Sequence, residues 1–180
     1  MNAIECLKTR RSIRRYKDEP VKHELIKKIM EVTTYAPSWK NTQIVRYTII
    51  DDKSKIEQLA QEAVHGFVPN IKTMSRARII AIQSVVTGIC GYEADGSFST
   101  EKEDGWEMYD AGISAQTFCL AAHELGVGTV IMEIYDEEKL RSIVPIPKGE
   151  IVTAIIGLGY PDEERKVPRR KAVDEILRFV

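Results

Sequence analysis

From about Gly105 to Leu125 the sequence carries a helical pattern with no polar face. Trp106, Tyr109, Ile113, Gln116, Phe118, Leu120 and Ala121 are spread along it, and the small residues Ala111, Gly112, Ser114 and Ala115 occupy much of the surface between them. A helix that is apolar or small all round must be buried on more than one side. A chain of 180 residues has the length of roughly one domain, so few of its own elements are free to surround this helix. A second copy of the chain would cover the remaining side, and a homodimer is expected.

The flanking segments read as a sheet among helices. Residues 2–9 suit a short helix, Arg10 to Tyr16 an extended segment, and residues 22–33 a helix with Leu25, Ile26, Ile29, Met30 and Thr33 at helical spacing. Strands are expected at Val45–Ile50, Arg78–Val86, Thr129–Ile134 and Ile151–Leu158, where β-branched residues cluster. Helices are expected after Asp52 as far as Val64, over Asp136–Ile143, and as a short piece at Val173–Phe179. Glu93 to Asp104 reads as a polar loop, and Gly126 ends the long helix as a C-terminal glycine commonly does. This pattern is α/β or α+β. The whole of 1–180 reads as one domain, with 160–180 a charged, proline-punctuated arm.

Several kinds of chemistry are missing. There is no GxSxG elbow and no GxxxxGK[ST] phosphate loop, and neither Gly126-Val127-Gly128 nor Gly157-Leu158-Gly159 completes a dinucleotide fingerprint. His23, His65 and His123 show no metal-ligand spacing with Cys6, Cys90 and Cys119, so no metal is expected. Three well-separated cysteines read as reduced thiols. Met1 to Leu7 has no long apolar run and no segment suits a bilayer, so the expected location is cytoplasmic, without membrane contact. A formal net charge of −1 gives no general reason to expect nucleic acid. Catalysis without these parts points to an organic cofactor.

Two segments have chemistry to offer such a cofactor. In Arg10-Arg11-Ser12-Ile13-Arg14-Arg15-Tyr16, alternation along an extended backbone projects Arg10, Ser12 and Arg14 together. Two guanidinium forks around a hydroxyl suit a phosphate, although a solvated basic face fits the same spacing. Ala36-Pro37-Ser38-Trp39-Lys40-Asn41-Thr42-Gln43 is a turn dense in amides and hydroxyls, which suit either ordinary turn chemistry or the donor and acceptor edge of a ring system.

Taken in order, these segments resemble the nitroreductase family of FMN enzymes, with its R-x-S-x-[RK] strand and [AP]-P-S-x-x-N-x-Q turn. Asp110–Gln116 and Leu120–Gly126 are similar to that family's central dimer helix, and Ile155–Pro161 followed by Arg169 and Arg170 to its last core strand and basic tail. The resemblance implies an α+β fold, a mainly antiparallel sheet of four to five strands flanked by helices, in an intertwined homodimer. It implies that Arg10, Arg11 and Ser12, with Arg169 and Arg170, hold the FMN phosphate and ribityl chain. Arg14 would stabilise charge at the flavin's N1–C2 edge, and Asn70 would face the pyrimidine edge. Ile131, Met132 and Glu133 would line the ring, with the backbone N–H of Glu133 near N5. Pro37, Ser38, Trp39, Asn41 and Gln43 would line the same flavin from the other subunit.

The implied activity is hydride transfer from NAD(P)H through FMN to a small acceptor such as a nitroaromatic or a quinone. Reductive dehalogenation, or a non-catalytic flavin-binding or regulatory role, are the alternatives. Trp39, Ile44 and Ile134 depart from the family's usual residues where an acceptor would be selected.

Overall fold

The computed structural model describes residues 2–180; Met1 lies outside the described residues. At its centre is a four-stranded sheet of β1 (Val45–Ile50), β2 (Ile79–Val86), β3 (Gly128–Met132) and β4 (Glu150–Gly159). The strands lie in the order β1-β2-β4-β3, and every neighbouring pair is antiparallel. Six helices accompany it: α1 (Ala3–Thr9), α2 (His23–Thr33), α3 (Lys53–Glu62), α4 (Val68–Met74), α5 (Gly105–Glu124) and α6 (Glu137–Ile143).

Alternation along the two central strands divides the core into layers. Ile80 and Ile82 of β2 join Val152 and Ile155 of β4 on the face covered by Leu59 of α3, Met74 of α4 and Leu140 of α6. Ile79, Ala81, Ile156 and Leu158 point the other way, onto Ile29 of α2 and Phe118 of α5. Burial of both faces explains why these strands are mostly apolar on both sides, and the buried polar exceptions Gln83 and Ser84 are hydrogen-bonded, to Ala111 O and to Glu150. Asp52 caps α3 by accepting from the amides of Ser54 and Lys55, and Asp136 caps α6 through Lys139 N.

The arrangement differs from the expected elements in three places. Val68–Met74 is a helix although Pro69 interrupts the pattern, because a proline in the first turn removes only an amide that has no partner within the helix. The helix anticipated at Val173–Phe179 is reduced to a 3-10 turn at Val173–Glu175, with Val173, Ile176, Leu177 and Phe179 exposed. Its apolar side chains are left unburied, and so short a piece is not stable alone. Thirdly, Arg10–Tyr16 is not a regular strand: it touches the sheet by single bridges, Ser12 to Thr129 of β3 and Tyr16 to Pro161.

α5 buries Asp110, Ala111, Ser114, Ala115, Phe118, Cys119 and Ala122, but Met108, Tyr109, Gly112 and Gln116 stay exposed along one stripe. Ile4 and Leu7 of α1 add further exposed apolar surface. Within one chain, the helix is thus covered on one side only.

Candidate functional site

Glycine makes room for the basic segment. Gly128 of β3 pairs with Gly159 of β4, and Gly157 lies two residues along the same face. A Cβ at Gly128 would stand 2.9 Å from the Ile13 side chain, and one at Gly159 would stand 2.7 Å from the Tyr16 ring. Both distances are shorter than real contacts, so only glycine admits these side chains. Ile13 and Tyr16 therefore plug into the core, with the Tyr16 hydroxyl donating to Ile13 O (2.6 Å) and lying 3.2 Å from Gly157 O. Ile13 N donates to Thr129 O at 2.9 Å.

With those two side chains anchored inward, the arginines are left outside. Arg10, Arg11, Ser12 and Arg14 line a cleft of about 410 Å³ together with Arg165, Lys166, Pro168 and Arg170. Strict alternation would turn Arg11 away from Arg10, but Arg10 is the C-cap of α1 and the segment is not a regular strand, and both residues line the cleft. Arg11 Nη1 is spent on Lys8 O and Arg10 O (2.7 and 2.6 Å). The Nε atoms of Arg10 and Arg11 are buried without a hydrogen-bond partner. Buried donors normally find acceptors, so these nitrogens call for an anion. Arg170 reaches the cleft; Arg169 is not among its lining residues.

Glu163 ties this cleft together. Its Oε1 accepts from Arg14 N (2.6 Å) and Arg15 N (3.2 Å), and its Oε2 pairs with Arg165 Nη2 at 2.7 Å. Asp162 N donates to Arg15 O and Lys17 N to Tyr160 O, so residues 160–163 run beside the basic segment. Burial pushes the Glu163 carboxyl's pKa up, but the bonds from Arg14 N and Arg165, and then that from Arg15 N, outweigh it and hold it below the ordinary value. The sequence reading passed over Glu163, Arg165 and Lys166 because all three sit in a charged tail. Three acids in a row, Asp162, Glu163 and Glu164, follow β4, and no local signal separates Glu163 from its neighbours.

The end of β3 borders this region. Met132 is buried, Ile131 is exposed, and Glu133 follows the last paired residue with its side chain exposed. Asn70 of α4 is buried and donates from Nδ2 to Ile134 O at 3.3 Å, which brings it to the same corner.

The turn at 37–43 is built elsewhere. Lys40, Asn41 and Gln43 adopt positive φ of 44°, 56° and 49°, a costly conformation for residues other than glycine. What stabilises it is a buried carboxylate: Asp110 of α5 accepts from Trp39 N through both oxygens (3.2 and 2.9 Å). Gln43 N donates to Ser38 Oγ at 3.0 Å, and Gln43 Nε2 to Asn41 Oδ1 at 3.2 Å. The Cys90 thiol, 3.3 Å from Asp110 Oδ2, is pushed to about 12, by burial first and then by Asp110, so it stays protonated. Trp39 packs against Trp106 with ring centroids 5.0 Å apart, and its indole nitrogen is buried without a hydrogen-bond partner. Pro37, Ser38 and Gln43 line a smaller cleft with Tyr47 and Ser114. Asp110 was not anticipated as a site residue; its sign was an acid set against the small residues Ala111, Gly112, Ser114 and Ala115 that follow it.

The two segments do not meet within one chain. Ser12 is level with Thr129, whose register runs through Leu158 to Ile79, at the Ile50 end of β1. Gln43 lies beyond the opposite end of β1, on the other edge of the sheet. About eight residues of strand and four strand spacings separate them, or about 30 Å on standard sheet dimensions. A site using both halves needs a second copy.

Among the described residues, no group of three or more His, Cys, Asp or Glu is placed to hold a metal, and no helix is long and apolar enough to cross a membrane.

Comparison with known proteins gives a consistent family. The family model described as the nitroreductase family matches residues 7–160. A Methanothermobacter thermautotrophicus protein provisionally named NADH dehydrogenase/NAD(P)H nitroreductase is 32% identical over 167 residues, covering 91% of this chain and 79% of the relative. The FMN reductase [NAD(P)H] of Bacillus subtilis is 30% identical, over 92% of this chain and 69% of its own. Among solved structures, an FMN-dependent nitroreductase from Clostridium difficile R20291 superposes with a TM-score of 0.78 at 30% identity, covering 98% of each chain.

Proposed function

Because this chain belongs to the nitroreductase family, we propose that it binds FMN between two copies of itself and uses it to pass hydride from NAD(P)H to a small acceptor such as a nitroaromatic or a quinone. The observation that carries the cofactor assignment is the pair of buried, unpartnered guanidinium nitrogens of Arg10 and Arg11 at the wall of a basic cleft. A phosphate supplies the acceptors they lack. When bound, FMN supplies the two-electron chemistry, accepting hydride from the donor and delivering it to the acceptor.

The chain's own residues bind, orient and polarise. Arg10, Arg11 and Ser12, with Arg170, hold the phosphate end, and Arg169 stands next to Arg170 in sequence without lining the cleft. Arg14, whose backbone N–H is held by Glu163, would place its charge beside a bound flavin, where a cation would favour the negative charge that reduction adds. The backbone at Glu133, just past β3, and the side chain of Asn70 border the ring. Pro37, Ser38, Trp39, Asn41 and Gln43 of the second copy close the other side. The distance of about 30 Å between the two halves in one chain, and the exposed stripe of Met108, Tyr109, Gly112 and Gln116 on α5, both support the dimer. The exposed apolar residues of the 160–180 arm suit an embrace of the partner, with the rest of the chain acting as one domain.

Anaerobic addition of NADH or NADPH to the FMN-loaded protein should bleach the flavin's visible absorption, and an added nitroaromatic or quinone should restore it. Persistence of the oxidised spectrum with both donors would refute the reductase assignment.

A further inference from the structure

The cleft holds more positive charge than a flavin phosphate needs. Arg10, Arg11 and Arg170 alone already exceed the roughly two negative charges of a phosphomonoester, yet Arg165 and Lys166 face the same space. Lys166 has no ion pair among the described residues. A surplus of like charges repels itself, and a second anion would relieve it. The geometry points to a second phosphate subsite at Arg165 and Lys166 that takes the 2′-phosphate of the nicotinamide donor, giving a preference for NADPH over NADH. This rests on the flavin reading above.

The acid that fastens the basic segment strengthens the case. Dinucleotide sites that select the unphosphorylated donor use a carboxylate on the ribose 2′-hydroxyl, and an arginine where the 2′-phosphate is accepted. Glu163 is not free for the first role: both of its oxygens are engaged, by Arg14 N and Arg15 N on one side and Arg165 on the other. That engagement also holds Arg165 over the cleft. Lys166, beside it, adds a flexible point charge rather than a fixed fork.

Calorimetric titration of the FMN-loaded protein with adenosine 2′,5′-bisphosphate and with ADP tests this without relying on turnover. The bisphosphate should bind about tenfold more tightly, the worth of one good charged contact. Lys166→Met and Arg165→Met should each remove most of that difference, and the ratio of kcat/KM for NADPH to that for NADH should collapse toward one. Equal binding of the two nucleotides, or variants that weaken both donors alike, overturns the subsite while leaving a working flavin reductase. Failure of both donors to bleach the flavin would instead overturn the reading on which it rests.

Discussion

Replacing Glu163 with alanine sets two physical effects against each other. Electrostatics alone predicts tighter FMN binding, because an anion leaves an anion-binding cleft; at solvent-like screening this helps a doubly charged ligand by about 1 kcal/mol. Geometry predicts the reverse. The carboxylate accepts from Arg14 N and Arg15 N and pairs with Arg165. Hydrogen bonds to a charged group contribute about 1.5–3 kcal/mol each, but Arg165 is 40% exposed and water replaces its partner at little cost. The two amides belong to exposed residues and are partly resolvated. A loss of about 2–3 kcal/mol in holding the segment is therefore reasonable. Set against the electrostatic gain, the net is about 1–2 kcal/mol, or roughly 5- to 30-fold weaker FMN binding. Fluorescence titration of the apoprotein with FMN measures this directly. Glu163→Gln keeps an amide oxygen for the two backbone donors, so it should recover most of the affinity, which a purely electrostatic role would not require. Alanine binding FMN as tightly as the parent, or more tightly, would refute the reasoning.

Gly159→Ala should lower both thermal stability and FMN affinity, because its Cβ meets the Tyr16 ring at 2.7 Å and unseats the arginines; a cost of about 1–3 kcal/mol is expected from overpacking, read from a melt and a titration. Acid should release the cofactor. The Glu163 carboxyl's pKa is depressed in the folded chain, so its contribution is full above the unfolded value of about 4.3 and disappears as pH falls through the lower folded value. The loss of FMN below that point should be blunted in Glu163→Ala, as a pH titration of flavin fluorescence would show; identical acid profiles would count against the role given to Glu163.

Much of this was legible in the residue pattern, for identifiable reasons. Strands such as Ile79–Val86 and Glu150–Gly159 are buried on both faces and so announce themselves as apolar runs. The long helix was plain from its lack of a polar side, and the structure shows that one chain covers only part of it. The arginines of 10–14 stand out in the sequence as a basic cluster and do line one cleft, but the alternation inferred for the segment was not kept. Ile13 and Tyr16 follow the glycine-cleared bay rather than a strict strand period. Long-range partners were the illegible part. Nothing local in Asp162-Glu163-Glu164 distinguishes the one acid that fastens Arg14 and Arg15, and nothing near Trp39 reveals that Asp110, far along the chain, holds its backbone. The diagonal separation of the two half-sites depends on strand order, which adjacent residues do not encode.

The central claim, that each flavin is gripped by the arginines of one copy and the turn of the other, can be tested by mixing. An Arg10→Ala, Arg170→Ala variant damages one half-site, and an Asn41→Ala, Gln43→Ala variant damages the other. Co-expressed in equal amounts, the two should form mixed dimers in which one site carries both defects and the other carries none. With random pairing, about a quarter of all sites should regain parental FMN affinity, at a flavin concentration that loads neither variant alone. No recovery in mixed dimers verified by mass would mean that each copy builds its flavin site alone, and the shared-site account would be wrong.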